Sequence, residues 1–160
     1  MKSVNYGFAK SDDLPAIQAL LTDCHLPTDG IERLTENCIV ARDKSRIVGT
    51  VALEPYGRWA LFRSLAVAPD CRGRSLGRSL SAKMVSHARL LGIEALYLLT
   101  TDAERYFVLL GFRRIERGEA PAQIQETSQF RSVCPRSAVC MARDIRERPF
   151  VLPESCRLCM

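Results

Sequence analysis

The alternation of apolar and polar residues along the chain predicts seven β-strands. Short runs rich in β-branched, leucine and aromatic side chains are bounded by turn-forming residues such as Gly, Pro, Asp and Ser. One of these runs, residues 61–67, is apolar, carries no charge except Arg63 and is closed by Pro69. The predicted strands cover residues 4–9, 37–42, 46–53, 61–67, 94–100, 112–116 and 137–144.

Apolar residues at helical spacing predict the helices that connect these strands. The longest helix should begin at Ser75, end near Leu91 and stop at Gly92. The order β-α-(α)-β-β-β-α-β-α-β-β is an α+β pattern with one mixed sheet flanked by about four helices. Helices are predicted over residues 14–24, 31–36, 75–91 and 103–110, with one or two turns within 122–127.

Length and composition indicate a single soluble domain. The chain has 160 residues, of which 47% are hydrophobic and 26% charged, as in globular proteins with their own core. Residues 1–145 should form the domain, and residues 146–160, with no periodicity, a C-terminal tail. No apolar run is long enough to span a bilayer, and the N-terminus lacks the apolar core of a signal peptide. We therefore expect a cytoplasmic protein with no membrane partner.

The net charge of +5 comes mainly from arginine, since lysine stands only at positions 2, 10, 44 and 83. The planar guanidinium fork suits phosphate and carboxylate groups better than a lysine point charge does. Nucleic-acid binding is the competing explanation of a basic chain. The basic residues are scattered rather than collected in one stripe with aromatics, so we expect no nucleic-acid partner.

The seven cysteines do not indicate a disulfide framework or a metal centre. An odd number in a reducing compartment argues against paired disulfides. Cys156 and Cys159 form one CxxC with no second pair, whereas a closed zinc site needs four ligands. His25 and His87 match no ligand spacing. We predict no bound metal, and cysteines that serve mostly as small core or tail residues.

A turn rich in Arg and Gly joins the strand at 61–67 to the longest helix. Backbone N–H groups at a helix N-terminus, together with the helix dipole, favour an anion. Three arginines and two glycines within seven residues favour a phosphate-bearing ligand over an ordinary loop with solvated arginines. Arg72 should face this ligand, whereas Arg74 and Arg78 either face it as well or point into solvent.

Two blocks resemble one known family. Residues 65–69 (LAVAP) followed by 72–77 (RGRSLG) resemble the acetyl-CoA signature of the GNAT N-acetyltransferase superfamily, Q/R-x-x-G-x-G/A. Residues 103–112 (AERYFVLLGF) resemble its second conserved block, which ends in LGF. A closer resemblance is to the small acetyltransferases of bacterial arsenic-resistance clusters, through residues 61–67, 98–101 and 130–138.

The resemblance implies an acyltransferase that moves an acetyl group from acetyl-CoA to the amine of a small molecule, by direct attack in a ternary complex. It also implies the GNAT fold, with a mostly antiparallel sheet splayed in the middle. Backbone groups at the end of the 61–67 strand would pair with the pantetheine amides. The cofactor-binding residues implied are Leu65, Ala66, Val67, Arg72, Gly73, Arg74, Ser75, Leu76, Gly77 and Arg78.

The chain departs from the family pattern at two positions. Ser75 stands where the signature usually has Gly. Because backbone N–H groups do the binding, a serine can serve there if its φ stays negative. Phe107 stands where the family often has the tyrosine that protonates the departing thiolate. Tyr106 is adjacent to it, but about 100° around the helix.

Candidates for the catalytic acid and base are few. The strand at 61–67 holds no carboxylate, although family members often place one there. Glu54, at the end of the neighbouring strand, is a possible general base acting through water, or else a turn carboxylate in solvent. Tyr106 is a candidate general acid, or else a helix residue that packs its ring.

Four residues are candidates for binding the acceptor: Arg63, His25, Thr101 and Arg131. Arg63 either faces the substrate groove, where it would bind a carboxylate or oxyanion, or is paired or solvated. Thr100 and Thr101 lie at the end of a central strand, where polar groups of active sites cluster, but they are equally placed to cap the helix at Ala103. His25 and the segment 118–135 lie where the family builds acceptor specificity, and the candidates in that segment are Phe130, Arg131 and Cys134.

Two further functions compete with acetyl transfer. The seven cysteines and the missing base and tyrosine would suit a thiol-based binder of arsenicals or metals. A degenerate CoA-binding module without turnover is the other alternative. A homodimer is possible for the family, and no residue pattern in the chain supports or excludes it.

Overall fold

The computed structural model describes residues 3–146, and in this part of the chain seven strands form one sheet. The strand order is β1-β2-β3-β4-β5-β7-β6. Every predicted strand is present, which confirms the α+β class and the seven-stranded sheet. The strands are β1 Asn5–Phe8, β2 Cys38–Asp43, β3 Arg46–Tyr56, β4 Trp59–Val67, β5 Ala95–Thr100, β6 Arg113–Ile115 and β7 Val139–Asp144.

Helices α1 Leu14–Asp23, α2 Leu76–Leu90, α3 Glu104–Leu109 and α4 Ala122–Gln125 connect the strands. The helix predicted over residues 31–36 is wrong, since two short 3-10 turns at Ile31–Arg33 and Thr35–Asn37 replace it. A π-helical turn covers Gln129–Val133. Within residues 3–146, no helix has both the length and the apolarity needed to cross a membrane.

The sheet opens in its middle. All neighbouring strands are antiparallel except β4 and β5, which run parallel. These two strands pair only from Trp59, opposite Ala95, to Leu61, opposite Tyr97. Beyond Leu61 the strands separate, so the second half of β4 has a free edge toward β5.

A β-bulge bends β4 within this free half. Thr50 pairs with Ala66, whereas Ala52 pairs with Arg63, so β4 carries one more residue than β3 between these two pairs. Ser64 lies in the bulge with φ 59°. A bulge increases the local twist and re-aims the side chains beside it. The sequence carries no glycine to mark this position.

The β3–β4 hairpin is longer than predicted. Strand β3 continues through Glu54 to Tyr56, and Tyr56 pairs with Trp59 across a turn that begins at Gly57, where φ is 64°. The strand predicted over residues 46–53 therefore ends three residues too early. Glu54 is a strand residue opposite Leu61, and this register fixes the direction of its side chain.

Helix α2 packs on the sheet through residues spaced four apart: Leu76, Leu80, Met84 and Ala88, all buried. Leu80 fits because Gly49 on β3 has no side chain. A Cβ on Gly49 would lie 2.8 Å from Leu80 Cδ1. This packing anchors α2, and with it the turn at the helix N-terminus.

Shortening Leu80 should show how much this anchor contributes. Leu80→Ala is expected to lower the free energy of unfolding by about 2–5 kcal/mol, because a fully buried side chain leaves a cavity. Leu90→Ala on the same helix removes an 87% exposed side chain and should cost less than about 0.5 kcal/mol. Chemical denaturation of both variants measures the difference, and equal effects would contradict the packing described.

Candidate functional site

The turn before α2 leaves a set of backbone amides unused by the helix. The amide of Ser79 bonds back to the Ser75 carbonyl at 3.0 Å, and the first amides of a helix have no partner in its own ladder. Gly73 and Ser75 both lie in the left-handed region, with φ 81° and 63°. The N–H groups before Ser79 are therefore available to an anion.

The condition set for Ser75, a negative φ, is not met. The chain must change from an extended conformation at Arg72 to a helix at Leu76, and two left-handed residues make that change. A non-glycine residue in this region costs about 1 kcal/mol. The turn keeps this strained conformation at a residue whose side chain is exposed to solvent.

The arginines of the turn have different surroundings. Arg72 Nε donates to the Val67 carbonyl at 3.2 Å and so ties the turn to the end of β4. Arg46 donates two 2.8 Å hydrogen bonds to Asp70. With Arg74 adding a smaller contribution, that pairing lowers the pKa of Asp70 to about 2. Arg78 is exposed and lines a cavity between α2 and α3.

Tyr106 lies on the backbone of Gly77. A Cβ on Gly77 would overlap Tyr106 Oη and would lie 3.2 Å from Cζ. Burial raises the pKa of the Tyr106 hydroxyl, and the Arg78 charge opposes this shift. The neighbouring Phe107 instead packs edge-on against Phe62 and Phe112, with ring centroids 6.3 and 5.7 Å away. The hydroxyl of Tyr106 therefore reaches the turn, and Phe107 belongs to the aromatic core.

A narrow cavity of about 60 Å³ lies where β4 and β5 separate, and we call it the gap cavity. Its walls are mainly apolar, and the bulged half of β4 forms one of them. The lining residues are Leu26, Pro27, Leu61, Phe62, Arg63, Ser64, Leu98, Leu99, Gln129, Phe130 and Cys134.

A larger cavity of about 600 Å³, which we call the polar cavity, adjoins the gap cavity. Arg63 and Gln129 line both, so the two cavities are direct neighbours. Polar and charged side chains dominate its wall. The lining residues are Gln18, Thr28, Asp29, Gly30, Glu32, Arg33, Glu54, Arg63, Ser128, Gln129, Ser132 and Val133.

Arg63 and Glu54 form a buried pair in the wall of the polar cavity. Arg63 Nη1 lies 3.9 Å from Glu54 Oε2, and the two side chains are 8% and 16% exposed. Arg63 Nη2 also donates to the Asp29 carbonyl at 2.6 Å. Burial lowers the pKa of Arg63, against the opposing charge of Glu54. Glu54 is therefore not a solvated turn carboxylate. Arg63 faces the groove and is also paired.

Tyr56 is a neighbour that the sequence reasoning missed. Burial, with a smaller contribution from the Glu54 charge, raises the pKa of Tyr56 to about 12. A tyrosine with this pKa stays neutral throughout the physiological range. Tyr56 therefore adds no charge beside the Glu54 carboxylate.

Arg33 is a second missed residue. A Cβ on Gly30 would lie 2.9 Å from Arg33 Nη2 and 3.7 Å from Arg63 Nη1, so both guanidinium groups approach the same point. Gly30 has φ 77° and begins the first 3-10 turn, which carries Arg33. No sequence pattern links Arg33 to Arg63, because they lie on different elements that meet only in the folded chain.

Three predicted acceptor residues do not line either cavity. His25 lies just past the end of α1, Thr101 is exposed after β5, and Arg131 is exposed on the π-helical turn. The helix-capping role considered for Thr101 belongs to Thr100, whose Oγ1 accepts from the Ala103 amide at 3.0 Å. On the π-helical turn the neighbours of Arg131 face the polar cavity in its place.

The family model for the acetyltransferase (GNAT) domain matches residues 35–114, half of the chain. The chain belongs to this family. The matched residues include Glu54, Arg63, the turn before α2 and all of α3. The GNAT resemblance is thereby confirmed, and acetyl-CoA-dependent acetyltransferase is the class of enzyme that this family defines.

Curated relatives share the same class. An amino-acid acetyltransferase of Edwardsiella ictaluri is 34% identical over 97 residues, which is 59% of this chain and 21% of that protein. An uncharacterised N-acetyltransferase of Chlorobaculum tepidum is 28% identical over 118 residues, or 69% of this chain and 74% of the relative. The chain spans about a fifth of the length of the curated amino-acid acetyltransferases that it matches.

Solved structures confirm the fold. N-acetylglutamate synthase from Neisseria gonorrhoeae, complexed with coenzyme A and N-acetyl-glutamate, superposes with a TM-score of 0.79 at 21% identity. The match covers 92% of this chain and 36% of that one. A Mycobacterium tuberculosis protein in complex with CoA has a TM-score of 0.75 at 20% identity, covering 88% and 98% of the two chains.

The contact between Tyr106 and Gly77 predicts a coupled pair. Gly77→Ala should lower the free energy of unfolding by about 1–3 kcal/mol, because the new methyl would overlap the Tyr106 hydroxyl. In a Tyr106→Phe background the nearest ring atom would be Cζ at 3.2 Å, so the cost should fall. Denaturation of the two single variants and the double variant completes a double-mutant cycle, which measures the interaction free energy of the two residues. An equal cost of Gly77→Ala in both backgrounds would contradict the contact.

Proposed function

We propose that the chain is an acetyl-CoA-dependent N-acetyltransferase that acetylates the amine of a small, amino-acid-like molecule. The observation that supports this most directly is the polar cavity, in which a buried carboxylate and a buried guanidinium adjoin the gap between β4 and β5. Sequence similarity to amino-acid acetyltransferases supports an acceptor of this kind. Residues 1–145 would form the catalytic domain.

The cofactor would lie along the free half of β4 and across the turn. Amides from Gly73 to Arg78 would bind its pyrophosphate, with Arg72, Arg74 and Arg78 as countercharges. Main-chain groups of residues 65–67 would pair with the pantetheine amides, except the Val67 carbonyl, which already accepts from Arg72 and Cys24. Acetyl-CoA supplies the thioester carbonyl, and the chain holds it beside the acceptor, so proximity contributes most of the rate.

Direct transfer in a ternary complex fits the side chains of the gap cavity. Cys134 lines that cavity, but burial raises the pKa of its thiol, and the thiol donates to Gln129 Oε1 at 3.0 Å. Ser64 Oγ accepts from Arg63 Nε at 3.3 Å. Neither residue has the neighbouring base that an acyl-enzyme nucleophile needs. Adjoining cavities allow both substrates to be bound at once.

Glu54 would act as the general base. It lines the polar cavity, where Arg63 lies 3.9 Å away and Tyr56 is a neutral neighbour. In this role it would accept the proton that the acceptor ammonium loses before the amine attacks, directly or through a water molecule. Arg63 would orient the acceptor in the same cavity.

Tyr106 is predicted to protonate the departing thiolate. The contact of its hydroxyl with Gly77 favours a second role, in shaping the turn that binds the cofactor. Tyr106→Phe separates the two, because loss of a proton donor lowers kcat, whereas a reshaped turn changes the KM for acetyl-CoA.

The thiol-based alternative finds little support among residues 3–146. In that part of the chain no three His, Cys, Asp or Glu side chains lie close enough to hold a metal ion. Cys38 bonds to Thr50, and Cys24 to the Val67 carbonyl. Cys156 and Cys159 lie outside the described residues. The relation to arsenic resistance, a cytoplasmic location and a homodimer stay predictions, as do contacts of the acceptor with His25, Thr101 and Arg131.

The proposal is tested by an acetyl-transfer screen with acetyl-CoA and a panel of amino acids and simple amines, with Gly77→Glu as the variant impaired in cofactor binding. Release of free coenzyme A with and without acceptor distinguishes transfer from hydrolysis. A chain that neither binds nor turns over acetyl-CoA would overturn the proposal.

Glu54→Gln should lower kcat by roughly a hundred- to ten-thousandfold, because the amide cannot accept the proton. The KM for acetyl-CoA should stay unchanged, since Glu54 lies outside the turn. Glu126→Gln, an exposed carboxylate at the end of α4, is the matched control and should retain full activity. Steady-state kinetics with the best acceptor measure both, and an undiminished kcat in Glu54→Gln would exclude Glu54 as the base.

A further inference from the structure

Two guanidinium groups meet in the polar cavity at the backbone of Gly30. Arg33 Nη2 and Arg63 Nη1 both lie within 4 Å of the point where a Cβ on Gly30 would stand. Arg33 comes from a 3-10 turn and Arg63 from β4, and both side chains line the cavity. Like charges repel at such a distance, so an anion between them would relieve the repulsion.

Within residues 3–146, neither guanidinium donates a hydrogen bond to a carboxylate. Arg63 Nη1 lies 3.9 Å from Glu54 Oε2 and also feels the Asp29 charge, but its hydrogen bonds go to neutral groups, the Asp29 carbonyl and the Ser64 hydroxyl. Arg33 is exposed and, in the same part of the chain, takes part in no ion pair. Two guanidinium forks that approach one point suit a carboxylate.

The same cavity places a carboxylate on the other side of the ligand. Glu54 lines it together with Arg33 and Arg63, so positive and negative side chains share one chamber. A ligand with both an ammonium and a carboxylate matches this arrangement. The rest of the wall adds the acidic residues Asp29 and Glu32 and neutral hydroxyl and amide groups that suit a polar substituent, from Gln18, Thr28, Ser128, Gln129 and Ser132.

We propose that Arg33 and Arg63 form a carboxylate clamp that makes the acceptor an amino acid rather than a simple amine. The inference rests on the proposed acetyl transfer and adds Arg33 as a residue that determines specificity. The clamp binds the acceptor carboxylate, and Glu54 faces its amine. Gly30 lets both guanidinium groups approach, since a side chain there would displace Arg33.

The clamp is tested with matched acceptors that differ by one carboxylate, L-serine against ethanolamine and L-histidine against histamine. The wild-type chain should prefer the amino acid of each pair. Arg33→Gln should raise the KM for the amino acids roughly ten- to hundredfold, the effect of one charge-assisted hydrogen-bond partner. The KM for acetyl-CoA and the turnover of the amines should not change, and Arg33→Lys should restore part of the preference.

Arg136→Gln is the matched control, since it removes an exposed arginine that lines neither cavity. The clamp would be overturned if the wild-type chain showed no preference for acceptors with a carboxylate. It would also be overturned if Arg33→Gln lowered the acetylation rates of amino acids and amines alike. Loss of the preference in Arg131→Gln instead of Arg33→Gln would also overturn it.

A binding experiment tests the clamp independently of the proposed acetyl transfer. Thermal-shift titration of the chain with the twenty amino acids and the two amines needs no turnover. Amino acids that stabilise wild type but not Arg33→Gln support the clamp even if no amine is acetylated. Equal stabilisation of both proteins, or of amines and amino acids, contradicts the clamp whatever the acetyl-transfer screen shows.

Discussion

The separation of β4 from β5 is the constraint on which the rest of the structure depends. Parallel pairing lasts from Trp59 to Leu61 and then stops. The bulge at Ser64 bends β4 as it leaves its neighbour, so backbone groups that a continuous sheet would use stay free. Both cavities lie at this opening, and Arg63, which follows the paired part of β4, lines both of them.

The packing of α2 on the sheet stabilises the strained backbone of the turn. Ser75 keeps a left-handed backbone at a cost of about 1 kcal/mol. Helix α2 offsets that cost by burying a whole apolar face against the sheet, with Leu80 seated on Gly49. The orientation of the free amides is thus fixed by side chains that lie along the full length of the helix. An anion site built in this way is preorganised rather than assembled by its ligand.

The buried charges of the polar cavity are likewise unfavourable for folding and useful for binding. Arg63 and Glu54 are both largely withdrawn from water yet 3.9 Å apart, so neither is fully compensated. Such a pair is unfavourable for folding alone and useful when a ligand brings the missing countercharge. The neighbouring Tyr56 hydroxyl is neutral at physiological pH and adds no further charge.

Periodicity by itself determined the seven strands, the main helices and the turn before α2, because these depend on local spacing and on residues adjacent in sequence. Position in the chain could not determine which charges share a cavity. Arg33 lies near Arg63 only because a 3-10 turn and β4 meet at Gly30, while Arg131, equally basic and equally exposed, lines neither cavity. The left-handed Ser64 and Ser75 also had no local signal. Packing imposes those conformations, so only the tertiary structure decided them.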